Sequence, residues 1–329
     1  MHVDTMTAIL TGLKPVQAGI NIAVVLVNLG EHQAFLAQAI QLEREFLAHF
    51  QVVPPYERYC CSLLAASSLT FGLPFIVRIV QYITANEVPG QNVLGDLSIL
   101  VVPIVTLWQL LPLFYFTVTH CIVRFFFRHL ELALKKDIRL ERRPISFYYR
   151  LYLECTKLCA MSGQFWNPFI FVSIAIPVLI LCLAVYFVVN SSDAFIMPPD
   201  ASWEEQVSMV FLPIWASAQL FVALFCILCI AFVGMRTNEQ SRSILTYVLA
   251  LAPKTEDGRF QVICFTNRIQ QQFAWGVSAW RAFQIERGIL LTLASMITTY
   301  AILLIKLKRD HLPSAMATTF IRPQNLTYA

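Results

Sequence analysis

The sequence predicts an all-α protein that folds as one polytopic transmembrane helical bundle. Hydrophobic residues make up 57% of the 329 positions, charged residues make up only 13%, and the mean hydropathy is +0.64. Soluble domains carry about 25% charged residues, so a soluble protein is excluded. Several apolar stretches also reach the roughly 20 residues that a helix needs to cross a bilayer. Because such helices must pack against one another, we expect a single domain over residues 1–329.

Six apolar stretches are predicted to span the membrane. The five stronger ones are 60–83, 98–127, 166–189, 208–235 and 288–307. A weaker one, 16–29, is diluted by Gln17, Asn21 and Asn28. Alternatives for the first 29 residues are a signal peptide and a truncated or surface-lying helix, but the leader is not basic and no small-residue cleavage pattern follows. We interpret 16–29 as a span.

The charges of the connecting segments predict the orientation. Lysine and arginine are plentiful in 128–165 and 236–287, whereas 84–97 and 190–207 contain neither residue. Basic loops are retained in the cytoplasm, so the C-terminus is expected outside the cell, in a multi-pass protein of the plasma membrane. Two sequons, at Asn190 and Asn325, fall on predicted outer segments and are predicted glycosylation sites.

The predicted cytoplasmic segments, about 31–52, 122–165 and 236–286, carry apolar residues at helical spacing. In the last of them, Phe265, Ile269, Phe273, Val277 and Trp280 recur at steps of three to four residues and predict a helix through residues 260–284. One interpretation is that these amphipathic helices lie on the anionic leaflet. We favour the other, in which they extend the spans into a packed cytoplasmic bundle.

The last predicted span resembles the signature of the insect gustatory and odorant receptor superfamily. That signature is Thr-Tyr, five apolar residues and Gln-Phe, and this sequence has Thr299-Tyr300, five apolar residues and Lys306-Leu307. Asn238-Glu239, the aromatic segment 273–283 and the residues 284–287 precede it in the family's order. The resemblance covers about 30–307. The departures are Lys306-Leu307 in place of Gln-Phe and six predicted spans in place of seven, so we expect the family's first helix to be missing, through a shortened receptor or an incomplete gene model.

The resemblance implies a ligand-gated, cation-conducting chemoreceptor channel, assembled as a homotetramer or with related subunits around the last helix. Ser295, Thr299, Leu303 and Lys306 lie near one face of that helix and are the expected pore lining. The alternative for the hydroxyl residues is bonding to their own backbone or to neighbouring helices. The alternative for Lys306 is that it extends to the outer headgroups.

A small-molecule pocket is expected among the outer halves of the spans. Arg78 is its most informative member, because a guanidinium within a span is costly. The candidate pocket residues are Phe75, Arg78, Tyr82, Trp108, Gln109, Tyr186, Phe211, Trp215 and Gln219. The apolar residues Phe265, Ile269, Phe273 and Trp280 are assigned to a subunit interface.

Other function classes find less support. His120, His129 and Glu131 are too few for an enzyme site, and Cys226-x-x-Cys229 is half a zinc site without a second pair. We therefore expect no enzyme activity, cofactor, metal or nucleic-acid partner, and expect small-molecule ligands, ions and lipids as partners. A G-protein-coupled receptor would place its C-terminus inside, and a transporter would favour inverted repeats. The main alternative is a receptor-like membrane protein that does not conduct and acts as an assembly partner or in G-protein-coupled-type signalling, and a membrane transporter is a further one.

Overall fold

The computed structural model describes residues 3–84, 93–137, 143–191, 203–253, 255–280 and 282–319. Helices dominate this part of the chain, which confirms the predicted all-α class. In chain order the elements are α1 Val3–Val27, α2 Leu29–Phe50, α3 Tyr56–Thr84, α4 Val93–Asp137, α5 Ile145–Ser191, α6 Trp203–Ser243, α7 Leu245–Leu249, α8 Glu256–Gln270, a 3₁₀ helix Gln271–Ala274, β1 Ser278–Ala279, β2 Phe283–Gln284 and α9 Arg287–Thr319.

The apolar stretches of the sequence lie within the long helices. Within the described residues, four helices are long and apolar enough to cross a membrane, and the bent pair α1–α2 would make a fifth. The apolar part of α9, Arg287–Leu303, is shorter. The bend between α1 and α2 is 59° and falls at Asn28. There the side-chain Nδ2 donates to the Val24 carbonyl at 2.8 Å, and a side chain inserted into the helical hydrogen-bond ladder is a common cause of a kink.

Helices α4 and α5 are far longer than a bilayer is thick. They contain 45 and 47 residues, which corresponds to roughly 70 Å of helix against a hydrocarbon core of about 30 Å. Their projecting halves pack with α2, α7, α8 and the end of α6 into a region that we call the inner layer, which the loop charges predict to be cytoplasmic. The largest buried side chains concentrate there, among them Phe46, Phe126, Tyr152, Trp166 and Phe265. This packing supports the bundle interpretation of these segments.

The segment after Gln270 differs from the sequence prediction. The helix predicted over 260–284 ends at Gln270, and a 3₁₀ turn and a short antiparallel hairpin replace its second half. Gly276 closes the turn, since its N–H donates to the Gln272 carbonyl at 2.6 Å and a Cβ at this position would lie 2.9 Å from that oxygen. The hairpin pairs Ser278 with Gln284 and Ala279 with Phe283. Trp280 begins its turn with a left-handed φ of 48°.

Candidate functional site

A buried asparagine connects α6 to the hairpin that precedes α9. The Asn238 Nδ2 atom donates to the carbonyls of Val277 at 3.0 Å and Ile285 at 2.9 Å, and Oδ1 accepts from the Val277 N–H at 2.8 Å. Gln272 completes the group, since its Nε2 atom donates to the Asn238 carbonyl at 2.7 Å and to the Ser241 hydroxyl at 2.5 Å. We call Asn238, Gln272 and the backbone groups that they bind the Asn238 clamp. It fixes both ends of the hairpin to one helix.

Close packing accompanies these hydrogen bonds. Gly234 lies one turn before Asn238, and a Cβ at this glycine would lie 3.0–3.1 Å from three side-chain atoms of Ile285. Contacts that short require a neighbour to move, so the glycine permits the close approach of α6 to Ile285. The Ile285 side chain is itself fully buried. Helix α6 therefore contacts the chain two residues before α9 begins.

Two ion pairs join α6 to the first residues of α9 at the surface. Arg242 pairs with Glu286 at 2.8 Å, and the Arg287 guanidinium donates to the Glu239 carboxylate. The hydrogen bond from Arg287 holds the pKa of Glu239 below its usual value. Water screens exposed pairs of this kind, so they guide the direction of α9 more than they stabilise the fold.

The clamp predicts a specific loss of stability. Asn238→Ala removes the partners of the Ile285 carbonyl and the Val277 N–H, while the Val277 carbonyl still accepts from the Ile285 N–H at 3.1 Å. We expect the free energy of unfolding to fall by about 2–4 kcal/mol. Thermal melting of the detergent-solubilised protein, followed by size-exclusion chromatography, measures this change. The control is Asn267→Ala, at an exposed position on α8. Equal melting of the two variants would contradict the role of the clamp.

Helix α9 presents two different faces. Leu293 and Ile297 pack against the chain's own core, and Tyr300 is half-buried. The residues on the opposite face are exposed in the single chain. They include all four predicted pore-lining residues, Ser295, Thr299, Leu303 and Lys306, together with Leu291, Thr298 and Ile302. The structure thus brings the predicted lining to one unpacked face, whereas the side chain of Leu307 lies outside the described residues.

The predicted ligand residue Gln109 belongs to a buried polar network between α1, α4 and α5. Its Nε2 atom donates to Gln17 Oε1 at 3.0 Å, and its backbone carbonyl accepts from Asn21 Nδ2 at 3.3 Å. The Ser173 hydroxyl donates to Asn21 Oδ1 at 3.2 Å. All four residues are buried, while the neighbouring Trp108 is exposed. Sequence reasoning missed this network, although Gln17 and Asn21, four residues apart in an apolar stretch, were its signal.

We expect Gln109 to matter more for stability than Trp108. Gln109→Leu removes the hydrogen bond to Gln17 and should lower the free energy of unfolding by about 1–2 kcal/mol, the range found for polar contacts between membrane helices. Trp108→Leu changes an exposed side chain and should have the smaller effect. Melting curves of the two variants in one detergent compare them. A larger loss in Trp108→Leu would show that the network is not an important contact between α1 and α4.

The other predicted site residues are distributed as follows. Phe75 is half-buried, and its ring stacks on Phe71 at 5.9 Å between centroids. Phe265 and Ile269 are buried within the chain, where they serve its own core, whereas Phe273 and Trp280 are 59% and 60% exposed. The side chains of Arg78, Tyr82, Tyr186, Asn190, Phe211, Trp215 and Gln219, and the whole of Asn325, lie outside the described residues. Pocket and interface therefore remain predictions.

The groups considered for an enzyme or metal site bind neighbours within the chain. His129 contacts the carbonyl of Phe125 at 2.9 Å, and the Glu131 carboxylate accepts hydrogen bonds from Gln240 and Ser243. His120 is fully buried, 3.5 Å from the Ser162 hydroxyl. Across the described ranges, no group of three or more metal-binding side chains is present.

Comparison with solved structures identifies the fold. The olfactory receptor OR5 from the insect Machilis hrabei in complex with eugenol matches 92% of this chain and 81% of its own, with a TM-score of 0.63 and 11% identity. The same receptor in a second structure gives a TM-score of 0.59 and 12% identity over the same shares. The chain has the insect olfactory receptor fold. The superfamily resemblance drawn from the last helix is thereby confirmed at the level of fold.

Sequence comparison gives a curated relative from Caenorhabditis elegans, described as "Probable G-protein coupled receptor egl-47". It is 30% identical over 323 residues, which are 94% of this chain and 61% of the relative. The chain thus spans about three fifths of the relative's length. No family model matches the sequence.

The fold explains why Asn238-Glu239 and the residues 284–287 both belong to the family's sequence pattern. Asn238 and Glu239 lie far in sequence from the residues 284–287, yet these two segments are direct contacts. Asn238 binds the Ile285 carbonyl and Glu239 binds Arg287. Thr299 and Tyr300 follow on the helix that these contacts orient. The residues that precede the Thr-Tyr signature thus attach the start of the last helix to α6.

Proposed function

We propose that this protein is a chemoreceptor that acts as a ligand-gated ion channel, a tetramer in which the α9 helices surround the pore. The observation that carries the proposal is the unpacked face of α9. In a single chain it exposes hydroxyl groups of Ser295 and Thr299 together with Lys306, the sole charged residue in the sequence between Gly288 and Leu307. Polar groups on a membrane helix require partners or water, and a central aqueous pore would supply water to this face.

The order of residues along this face suits conduction. Ser295 and Thr299 would form rings of hydroxyl oxygens, and Leu303, one turn further on, would form an apolar ring. Polar rings hold ions, and apolar rings close a pore by excluding water. Lys306 would add a basic ring at the outer end, which should weaken cation selectivity. The proposed pore therefore has a binding region, a gate and a charged mouth within about three turns of helix.

Gating requires a connection between ligand and pore, and the Asn238 clamp supports one. The outer half of α6 belongs to the region where the pocket is predicted, and its inner end binds the hairpin before α9 through three hydrogen bonds. A displacement of α6 by a bound small molecule would move the start of α9 directly. Ligand binding would then favour whichever arrangement of the four pore helices it fits better.

Assembly is tested at the exposed aromatic residues near the hairpin. If Phe273 and Trp280 bury their surface between subunits, the double variant Phe273→Glu, Trp280→Glu should convert the tetramer into monomers, because charges would enter an apolar contact. Mass photometry in mild detergent counts the subunits. The matched control is Leu249→Glu, a similarly exposed apolar residue on α7. A monomeric wild type, or a tetramer that survives the double change, would refute this interface.

Conduction is tested by recording from cells that express the protein, with eugenol as the first probe because it occupies the solved olfactory receptor. We expect a probe-dependent current whose reversal potential, in a potassium chloride gradient, moves toward the potassium equilibrium potential in Lys306→Gln. The control is Lys308→Gln, two positions further along α9 and therefore about 200° around the helix. Identical selectivity in Lys306→Gln and wild type would place Lys306 outside the pore.

A second candidate is a receptor that signals through a G protein without conducting. The relative from Caenorhabditis elegans, a probable G-protein coupled receptor by name, favours it. Second-messenger assays in the same cells separate the two candidates. A probe-dependent second-messenger response without any current across a panel of small apolar molecules would replace the channel proposal with this one.

A further inference from the structure

Two adjacent cysteines, Cys60 and Cys61, lie in the first turns of α3. Of the nine cysteines in the chain, these two are exposed, and the other seven are half-buried or buried. Adjacent residues on a helix point in directions about 100° apart. Both side chains can be exposed because α3 packs mainly against one neighbour, α4.

The position of the pair along α3 corresponds to a membrane surface. Residues 59–77 carry no charge, and these 19 residues lie between Arg58 and Arg78. As helix they measure roughly 28 Å, close to the thickness of the hydrocarbon core. Arg58 is exposed, and Tyr56 and Tyr59 flank it, as is typical of the headgroup region. The two thiols therefore lie one turn inside this boundary, where headgroups meet acyl chains.

The two thiols also lie on the side of α3 that faces away from the protein. Leu64 is 67% exposed and offers apolar surface on this side of α3, whereas the exposed Leu69, Leu73 and Ile76 lie farther along and roughly 120–180° around the helix. Cys60 and Cys61 precede Leu64 by four and three residues, the spacing that places side chains on one helical face. An alkyl chain attached at either sulfur could run along this apolar surface into the bilayer.

We propose that Cys60 and Cys61 are S-acylated by long-chain fatty acids. The donor class is a fatty acyl-coenzyme A, and a membrane-bound protein acyltransferase would catalyse the transfer. The cysteine Sγ attacks the thioester carbonyl, a new C–S bond forms, the bond to coenzyme A breaks, and the coenzyme A thiol takes up the proton that the cysteine lost. The product is a thioester, and no oxidant or reductant is consumed.

Three features of the site agree with this modification. Juxtamembrane cysteines are the usual acceptors of reversible acylation. Arg58 on α3 and Arg124 and Arg128 on α4 provide basic residues that attract the anionic cytoplasmic leaflet. The inference rests on the proposed orientation, because the coenzyme A thioester is a cytosolic donor. Acylation would attach the start of α3 to the leaflet, beside the contacts of Tyr56 and Tyr59 with the protein core.

An acyl-exchange assay on the full chain expressed in cells tests the proposal. Free thiols are blocked, thioesters are cleaved with hydroxylamine, and the released thiols are labelled with a maleimide mass tag. We expect two hydroxylamine-dependent tags on the wild type, one on Cys60→Ser or Cys61→Ser, and none on the double variant. The control Cys264→Ser, at a half-buried cysteine of α8, should keep both tags. Mass spectrometry of the tryptic peptide 59–78 from the wild type locates the modification without any substitution.

Each alternative result contradicts the proposal in a distinguishable way. An untagged wild type, or a double variant that carries as many tags as the wild type, would exclude acylation at this pair. An epitope inserted between Arg139 and Pro144 reports the orientation, since we expect it to be hidden on intact cells and an epitope after Ala329 to be accessible. Reversed labelling would overturn the topology together with the acylation. If the epitope between Arg139 and Pro144 is hidden on intact cells but the wild type carries no mass tags, the acylation alone is refuted and the channel proposal stands.

Discussion

The position of the last helix depends on the hydrogen bonds of one buried amide. Buried backbone N–H and C=O groups need partners, and the chain between α8 and α9 has left the helical ladder that would supply them. The Asn238 side chain provides both kinds of partner, as donor to the Val277 and Ile285 carbonyls and as acceptor from the Val277 N–H. An aspartate or a leucine could not make this set of bonds. The direction in which α9 leaves the inner layer thus depends on the chemistry of a carboxamide.

The same requirement for paired polar groups organises the part of the bundle formed by the predicted spans, where lipid offers no alternative partner. Gln17, Asn21, Gln109 and Ser173 join three helices by side-chain bonds, in a region that would otherwise be held by apolar packing alone. Apolar contacts between membrane helices are weakly directional, since lipid competes equally well for them. A few carboxamides therefore specify which faces of α1, α4 and α5 meet.

The sequence predicted the helices well and the segment after α8 poorly, for physical reasons. Long apolar runs have few possible conformations in a bilayer, so residues 60–83 or 166–189 were readily assigned. Spacing at three to four residues is weaker evidence, because it reports burial and is silent on backbone conformation. Val277 matched the helical repeat, yet its N–H bonds to a side chain rather than to the helix. The repeat also combined Phe265, buried in the chain's own core, with the exposed Phe273, a distinction that only the folded chain reveals. For α9, by contrast, the spacing of Ser295, Thr299, Leu303 and Lys306 was sufficient to predict that they share one exposed face, because α9 is a continuous helix.

The backbone at Trp280 has a consequence for how this surface can change over evolution. A bulky residue with a φ of 48° costs on the order of 1 kcal/mol or more, a cost that glycine would avoid. Among the described residues, its indole has a ring contact with Phe171, at 5.4 Å between centroids, and it stays 60% exposed, so internal packing there offers little compensation. Random substitution followed by selection for folding alone would drift toward glycine here. A tryptophan retained at this turn in related sequences would therefore record selection for a contact outside the chain.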